Sequence, residues 1–190
     1  MDPLQRFNEW FTEAKAADLK VPNAMALSTA TAGGCPSVRY ILLKDIDQRG
    51  CIFFTSYSSR KGREIEENPQ AALCVFWQPL DRQVRVVGKI ERLEKDESEK
   101  YFHTRPRGSQ IGAWASQQSE LLDARKQLMS KYKMYEERFG TEIIPLPENW
   151  GGYRLVPHEI EFWHGAEHRL HIREQFLRDG DQWVMTLRYP

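Results

Sequence analysis

The chain has 190 residues, of which 41% are hydrophobic and 28% are charged, and its formal net charge is zero. This length is sufficient for a substantial hydrophobic core, and we expect one domain over residues 1–190. A neutral chain has no overall electrostatic field that favours nucleic acids or anionic membranes, so any anion site has to be local.

Cysteine usage and hydropathy indicate the compartment. Cys35, Cys51 and Cys74 are an odd number without metal-ligand spacing, which suits a reducing environment. No apolar run approaches the ~20 residues that cross a bilayer, and Asp2 and Arg6 stand where a signal peptide would be apolar. We therefore expect a soluble, cytoplasmic protein.

The first part of the chain predicts one helix followed by short strands. Asp2 and Pro3 are typical of a helix start, and apolar residues then recur at helical spacing as far as Ala14. Turn residues at 33–34 and 47–50 separate β-rich runs and so predict an antiparallel meander. The expected elements are strands at 24–30, 37–44, 51–55 and 71–77 and a helix at 60–68.

The second part continues with strands and two helices. We expect strands at 83–93, 153–156, 159–163, 169–176 and 183–189, and helices at 96–102 and 121–139. Asp96 is the predicted N-cap of the first of these helices, with Glu99 at the capping-box position. The fold class is therefore mainly β, antiparallel, with peripheral α-helices, and a small barrel is its most economical form.

The segment Ile160 to Arg173 is unusually rich in imidazoles and guanidiniums. Strand alternation predicts that Arg169, His171 and Arg173 share one face, where their donors could converge on an anionic or electron-rich ligand. A solvated, charged sheet edge is the structural alternative, and spacing alone does not separate the two. The three histidines of the segment make a weak metal site, because no carboxylate or cysteine completes a defined set.

Two clusters are candidates for binding phosphate. The first, at 58–62, places serines and two cations between a strand and a helix, although ordinary capping by Ser59 also explains it. The second contains Tyr101, Arg105 and Ser109. Neither a Rossmann motif nor a P-loop is present, so side chains have to grip the phosphate. Two clusters suggest two phosphorylated ligands.

Five segments together resemble the pyridoxine (pyridoxamine) 5'-phosphate oxidase family, and the resemblance covers nearly the whole chain. It implies an FMN-binding split β-barrel that works as a homodimer. The implied reaction oxidises C4' of pyridoxine or pyridoxamine 5'-phosphate to pyridoxal 5'-phosphate by hydride transfer to FMN, which dioxygen reoxidises with release of hydrogen peroxide. The segments are RYILLK at 39–44, FFTSYSSRKGREIEENP at 53–69, RQVRVVGKIERL at 82–93, YFHTRPRGSQIGAWASQQS at 101–119 and WGGYRLVPHEIEFWHGAEHRLHIR at 150–173.

The resemblance also implies which residues bind FMN. Arg39, Arg60 and Lys61 are expected to hold the FMN phosphate, and Gln83 to bond the polar ring edge. The pair at 118–119 is expected to come from the partner subunit, which makes the dimer part of the site. The implied positions are Arg39, Tyr40, Ile41, Leu42, Leu43, Lys44, Phe54, Thr55, Arg60, Lys61, Gln83, Gln118, Ser119, Trp163 and Arg173.

The substrate positions follow in the same way. Arg169 is the leading catalytic candidate, because a guanidinium stays cationic and can orient the substrate or stabilise negative charge. His171 could assist removal of a proton from the C4' substituent. The implied substrate-binding residues are Lys44, Tyr101, Arg105, Ser109, Arg169, Leu170 and His171.

One residue departs from the family pattern, since Ile172 stands where the family usually has Asp. The change removes a carboxylate beside His171 and Arg173, so activity or substrate preference could differ. Three other functions stay open. They are a related split-barrel flavin oxidase for another aromatic substrate such as a phenazine precursor, a catalytically silent module that binds FMN or pyridoxal phosphate, and a nucleic-acid-binding barrel.

Overall fold

The computed structural model describes residues 2–17 and 19–190. The strands are β1 (Ala24–Ala30), β2 (Pro36–Leu42), β3 (Asp45–Ile46), β4 (Cys51–Ser56), β5 (Gln70–Trp77), β6 (Arg82–Arg92), β7 (Trp150–His164), β8 (Ile172–Asp179) and β9 (Gln182–Arg188). The helices are α1 (Pro3–Ala16), α2 (Arg60–Glu67), α3 (Lys95–Thr104), α4 (Arg107–Ala115) and α5 (Arg125–Phe139), with 3-10 turns at Gln78–Leu80 and Glu167–Arg169.

The nine strands form a curled sheet, which confirms the predicted mainly β class. Its neighbour order is β2-β1-β5-β6-β7-β4-β3, and β8 pairs with both β7 and β9. Every pairing is antiparallel. Strand β7 is central because it pairs with β4, β6 and β8.

Strand β7 replaces the two strands predicted at 153–156 and 159–163. Pro157 interrupts the strand pattern, but β7 carries one extra residue, His158, opposite the step from Val87 to Gly88 of β6, and pairing continues beyond this bulge. A Cβ at Gly88 would lie 2.1 Å from the carbonyl oxygen of Val156. Only glycine therefore lets the two backbones approach this closely.

Helix α1, which the apolar spacing predicted, packs its buried residues into the main core against the sheet. The Asp2 carboxylate accepts a hydrogen bond from the Leu4 N–H at 2.9 Å, which caps the helix. Trp10 packs edge-on against Phe162 of β7 with ring centroids 5.1 Å apart. Leu4, Phe7, Trp10, Phe11 and Ala14 are all buried in the main core.

Helices α3, α4 and α5 contribute to a smaller cluster that includes Phe102, Ile111, Phe139, Ile144 and Trp150. Helix α4 was not predicted, because two glycines weaken its helical pattern. Helix α5 begins at Arg125, four residues after the predicted start. Within the described part of the chain, no helix combines the length and apolar character needed to cross a membrane.

The predicted N-cap of helix α3 is wrong. The helix begins at Lys95, and the Glu97 side chain accepts a hydrogen bond from the Glu94 N–H at 3.3 Å. Glu94 therefore takes the N-cap position that we assigned to Asp96, and Glu97 takes the partner position assigned to Glu99. The reason is that Glu94 has extended backbone angles whereas Asp96 already lies in the first helical turn.

Candidate functional site

A pocket of about 670 Å³ lies where β2, β4 and α2 face α3 and α4. It brings together residues that are up to 111 positions apart in the chain, from Arg39 to Trp150. Twelve of the predicted site residues line it: Arg39, Tyr40, Ile41, Leu42, Lys44, Phe54, Thr55, Lys61, Tyr101, Arg105, Ser109 and Gln118.

The start of α2 places Lys61 in this pocket. Ser59 is the N-cap, and its hydroxyl accepts a hydrogen bond from the Gly62 N–H at 3.3 Å. The Lys61 ammonium donates to Thr55 Oγ1 at 3.2 Å, to Ser59 Oγ at 3.1 Å and to Gln118 Oε1 at 3.2 Å. All three acceptors are neutral oxygens.

Lys61 is a buried cation without a paired carboxylate. The residue is 6% exposed, and among residues 2–17 and 19–190 no carboxylate oxygen lies within 4.0 Å of its ammonium. Burial and the positive charge of Arg39 together lower the pKa of Lys61 to about 8, against the opposing effect of Glu64. A buried ammonium of this kind is suited to an anionic ligand, since an anion would stabilise its charged form.

Arg39 lies next to Lys61 and is held by a buried carboxylate. Its Nη1 donates to the Leu27 carbonyl at 3.1 Å and to Thr29 Oγ1 at 2.6 Å. Its Nη2 donates to Ser37 Oγ and to Glu64 Oε2, the latter at 3.3 Å. No sequence pattern pointed to Glu64, because its role depends on contacts between α2 and the distant strands β1 and β2.

A second cationic group occupies the α3 side of the pocket. The Arg105 guanidinium lies 4.6 Å from the Trp150 ring centroid, and the Lys44 ammonium lies 5.7 Å from that of Tyr101. The Tyr101 and Phe54 rings stack at 3.8 Å. These aromatic faces hold both cations in place. Trp150 is a further pocket residue that sequence reasoning missed, because nothing in its own segment relates it to Arg105.

Arg105 has an unsatisfied hydrogen-bond donor. Its Nη1 is buried and has no hydrogen-bond partner in the described structure. Burial also lowers the pKa of Arg105. An orphaned guanidinium donor that borders a pocket needs an acceptor, and phosphate or carboxylate oxygens are the acceptors it matches best.

A third group of predicted residues lies outside this pocket. Gln83, Trp163 and Arg173 face one another across β6, β7 and β8, so they form one row on the sheet. The His171 ring lies 4.6 Å from that of Trp163. Arg173 makes two hydrogen bonds with the buried Glu161, at 3.0 and 2.9 Å, and they raise its pKa.

The predicted arrangement of Arg169 on a strand is wrong. Strand β8 begins at Ile172, and Arg169 lies in the preceding 3-10 turn. His168 and Arg169 both have positive φ, at 57° and 61°, so the backbone turns here instead of extending. Alternation along a strand therefore cannot place Arg169 on one face with His171 and Arg173.

Gln118 also differs from expectation, since its side chain enters the pocket of its own chain. Its carbonyl oxygen accepts from Thr55 Oγ1 at 3.0 Å as well as from Lys61. Gln118 therefore belongs to the pocket of its own chain, and its expected contribution to the site of a partner subunit stays a prediction. Ser119 is exposed and does not line the pocket. Leu43 is 1% exposed and packs in the main core, so its side chain is also outside the pocket.

Comparison with known proteins gives consistent matches along the chain. Residues 11–137 match the family described as pyridoxamine 5'-phosphate oxidase. Residues 150–190 match the family described as the pyridoxine 5'-phosphate oxidase C-terminal dimerisation region. The second match includes Trp163, Arg169, His171 and Arg173, which all lie outside the pocket.

Individual relatives agree with these families. The pyridoxine/pyridoxamine 5'-phosphate oxidase of Rubrobacter xylanophilus is 52% identical over 189 residues, which cover 100% of this chain and 87% of the relative. The Myxococcus xanthus protein of the same name is 48% identical, with 100% and 92% covered. A solved structure of PhzG from Burkholderia lata 383, in complex with tetrahydrophenazine-1-carboxylic acid, is 36% identical, with a TM-score of 0.94 and 100% and 93% covered. The chain therefore belongs to the pyridoxamine 5'-phosphate oxidase family and has its split-barrel fold.

Proposed function

We propose that this protein is an FMN-dependent oxidase that converts pyridoxine 5'-phosphate or pyridoxamine 5'-phosphate to pyridoxal 5'-phosphate. Membership of the family supports a flavin-binding oxidase. The observation that carries the finer proposal is a pocket with two separate cationic groups, each suited to one phosphate. One contains the buried ammonium of Lys61, and the other contains the orphaned donor of Arg105.

The first group fits the phosphate of FMN. Lys61 and Arg39 supply positive charge, while Thr55 and Gln118 keep the ammonium directed into the pocket. An entering phosphate would replace neutral oxygens with a charged acceptor, which is the stronger hydrogen-bond partner. Bound FMN supplies a hydride acceptor for C4' that dioxygen can reoxidise, with hydrogen peroxide as product.

The second group fits the phosphate of the substrate. Arg105 and Lys44 supply the charge, and the Tyr101 and Ser109 hydroxyls are further candidate donors on the same pocket wall. Three residues outside this pocket complete the proposed substrate site. We assign orientation of the substrate to Arg169 and removal of a proton from the C4' substituent to His171. Leu170, between them in the chain, is a further proposed substrate contact.

We propose that the site is completed in a homodimer. The dimerisation region contains Trp163, Arg169, His171 and Arg173, none of which lines the pocket of its own chain. The edge strand β2 exposes apolar side chains beside the pocket, with Tyr40 80% exposed and therefore available to a second copy. The third group of one subunit would then face the pocket of the other.

A second candidate function is oxidation of a non-phosphorylated aromatic acid. The observation in its favour is the PhzG likeness, because that protein was solved with tetrahydrophenazine-1-carboxylic acid. A carboxylate could also satisfy the orphaned donor of Arg105. The two candidates differ in whether the substrate must carry a phosphate.

The test is oxygen consumption by the FMN-loaded protein with four substrates. Pyridoxine phosphate and pyridoxamine phosphate should turn over, whereas pyridoxine and tetrahydrophenazine-1-carboxylic acid should not. Arg105→Met should raise KM for the phosphorylated substrates by about tenfold to a hundredfold, the loss of one charged hydrogen bond. Lys100→Met, an exposed cation on α3, is the matched control and should leave KM unchanged. Faster turnover of the phenazine acid would favour the second candidate.

A further inference from the structure

Glu64 is a buried carboxylate beside the proposed phosphate site. It lies on α2 and is 3% exposed. Its Oε2 accepts hydrogen bonds from Thr29 Oγ1 and Ser37 Oγ, both at 2.5 Å, and from Arg39 at 3.3 Å. Its Oε1 accepts from Arg60 Nε at 2.8 Å. The two oxygens therefore hold different cations, one on β2 and one on α2.

The Glu64 carboxylate is ionised at neutral pH despite its burial. Burial alone would raise its pKa, but the hydrogen bonds from Ser37, Thr29 and Arg60 and the charge of Arg39 outweigh that effect and lower it to about 2. A negative charge next to an anion site opposes ligand binding by simple repulsion. A carboxylate at this position therefore needs a role in the site that offsets its repulsion of the ligand.

The charges of Arg39 and Lys61, which line this end of the pocket, and of Arg60 and Glu64 beside it suggest that role. Arg39, Arg60 and Lys61 are cations, and among the described residues Glu64 is the one carboxylate that pairs with Arg39 and Arg60, which leaves a local charge of about +2. This matches a phosphate monoester, which carries about −1.5 to −2 near pH 7. Without Glu64, nothing would offset the repulsion between the partly buried Arg39 guanidinium and the buried Lys61 ammonium, and the exposed Arg60 side chain would lose its partner.

We propose that Glu64 is a positioning residue that fixes Arg39 and Arg60 for recognition of the FMN phosphate. This inference rests on the proposed function, since it assumes that the ligand of this end is FMN. Glu64 acts through the two guanidiniums and has no direct contact with the flavin. Its removal should therefore reduce affinity for FMN and leave affinity for riboflavin, which lacks the phosphate, unchanged.

The experiment is a fluorescence titration of the full-length apoprotein with FMN and with riboflavin. Glu64→Gln removes the charge but keeps the side-chain size and should weaken FMN binding about tenfold, in line with other residues that orient ligand-binding groups. Riboflavin affinity should stay within about twofold of the unmodified protein, an effect of less than 0.5 kcal/mol. Glu67→Gln, the same change at an exposed position of α2, should alter neither affinity.

A second readout separates positioning from a purely structural role. The charged groups that act on Lys61 are Arg39 on β2 and Glu64 on α2, and the Glu64 charge raises the Lys61 pKa. The pH at which FMN binding weakens should therefore be lower in Glu64→Gln than in the unmodified protein. Glu64→Asp, which keeps the charge but shortens the reach, should lose FMN affinity without this change in pH.

Four results would overturn the inference. Tighter FMN binding by Glu64→Gln would mean that Glu64 acts only by repulsion. Equal loss of FMN and riboflavin, or no loss, would mean that it has no part in phosphate recognition. If the unmodified protein itself binds riboflavin as tightly as FMN, the proposed phosphate site and the inference fail together, and this outcome is recognised before any variant is made.

Discussion

Binding of FMN should depend on pH through Lys61. The ordinary pKa of a lysine is 10.5, but burial and the neighbouring Arg39 lower that of Lys61 to about 8. Only the protonated ammonium can pair with the phosphate, which remains largely dianionic over the range considered because its second pKa is about 6. Affinity should therefore fall as the pH rises through about 8.

The size of this effect follows from the protonated fraction. With a pKa of about 8, Lys61 is about nine-tenths protonated at about pH 7 and about one-tenth protonated at about pH 9. If the neutral amine contributes no binding, the apparent Kd should rise about tenfold across this range. An unperturbed lysine would change the Kd by less than about twofold over the same interval.

The assay is quenching of flavin fluorescence by the apoprotein at a series of pH values. Lys61→Met should bind FMN weakly at neutral pH and show no step near pH 8, while riboflavin should show no step with either protein. A flat FMN profile in the unmodified protein, or a step that persists in Lys61→Met, would refute the reasoning.

The free energy of unfolding should also rise between about pH 8 and 10.5. In this range the unfolded chain, where Lys61 has its ordinary pKa, binds the proton more strongly than the folded protein does.

Further predictions concern the fold and the chemistry. Gly88→Ala should lower the free energy of unfolding by about 3 kcal/mol in urea titrations, since the new Cβ would clash with a β7 carbonyl, whereas Gly33→Ala should have little effect. Arg169→Ala should lower kcat strongly with FMN retained, and normal turnover would contradict its role. Acid should destabilise the protein as Glu64 is protonated. The pKa of Glu64 is lowered from 4.5 to about 2. The stabilisation that its charge provides is therefore complete above about pH 4.5 and declines towards pH 2. The free energies of unfolding of Glu64→Gln and the unmodified protein should converge as the pH approaches about 2.

Local signals predicted the local features correctly. Asp2 and Ser59 both cap helices where the sequence indicated, because capping depends on residues within one turn of each other. The continuous strand β7 and the turn at Arg169 could not be predicted in this way. The first depends on a bulge in β7 at its pairing with β6, and the second on backbone angles that its residue types rarely adopt.

The sequence predicted which residues belong to the candidate site better than it predicted how those residues are arranged. Lys61 and Gln118 were both expected to bind FMN, yet their mutual hydrogen bond joins residues 57 positions apart and no local pattern encodes it. Glu64 and Trp150 were missed because their roles arise only when distant elements meet. The catalytic roles of Arg169 and His171, the single domain and the cytoplasmic location stay predictions.

The most direct test of the account is anaerobic mixing of the FMN-loaded protein with pyridoxine phosphate and, separately, with pyridoxamine phosphate. We expect the absorbance of the oxidised flavin to be lost, an aldehyde to form, and the absorbance to return when air is admitted. If the protein holds FMN but neither phosphate bleaches it, the proposed oxidation of these substrates is contradicted.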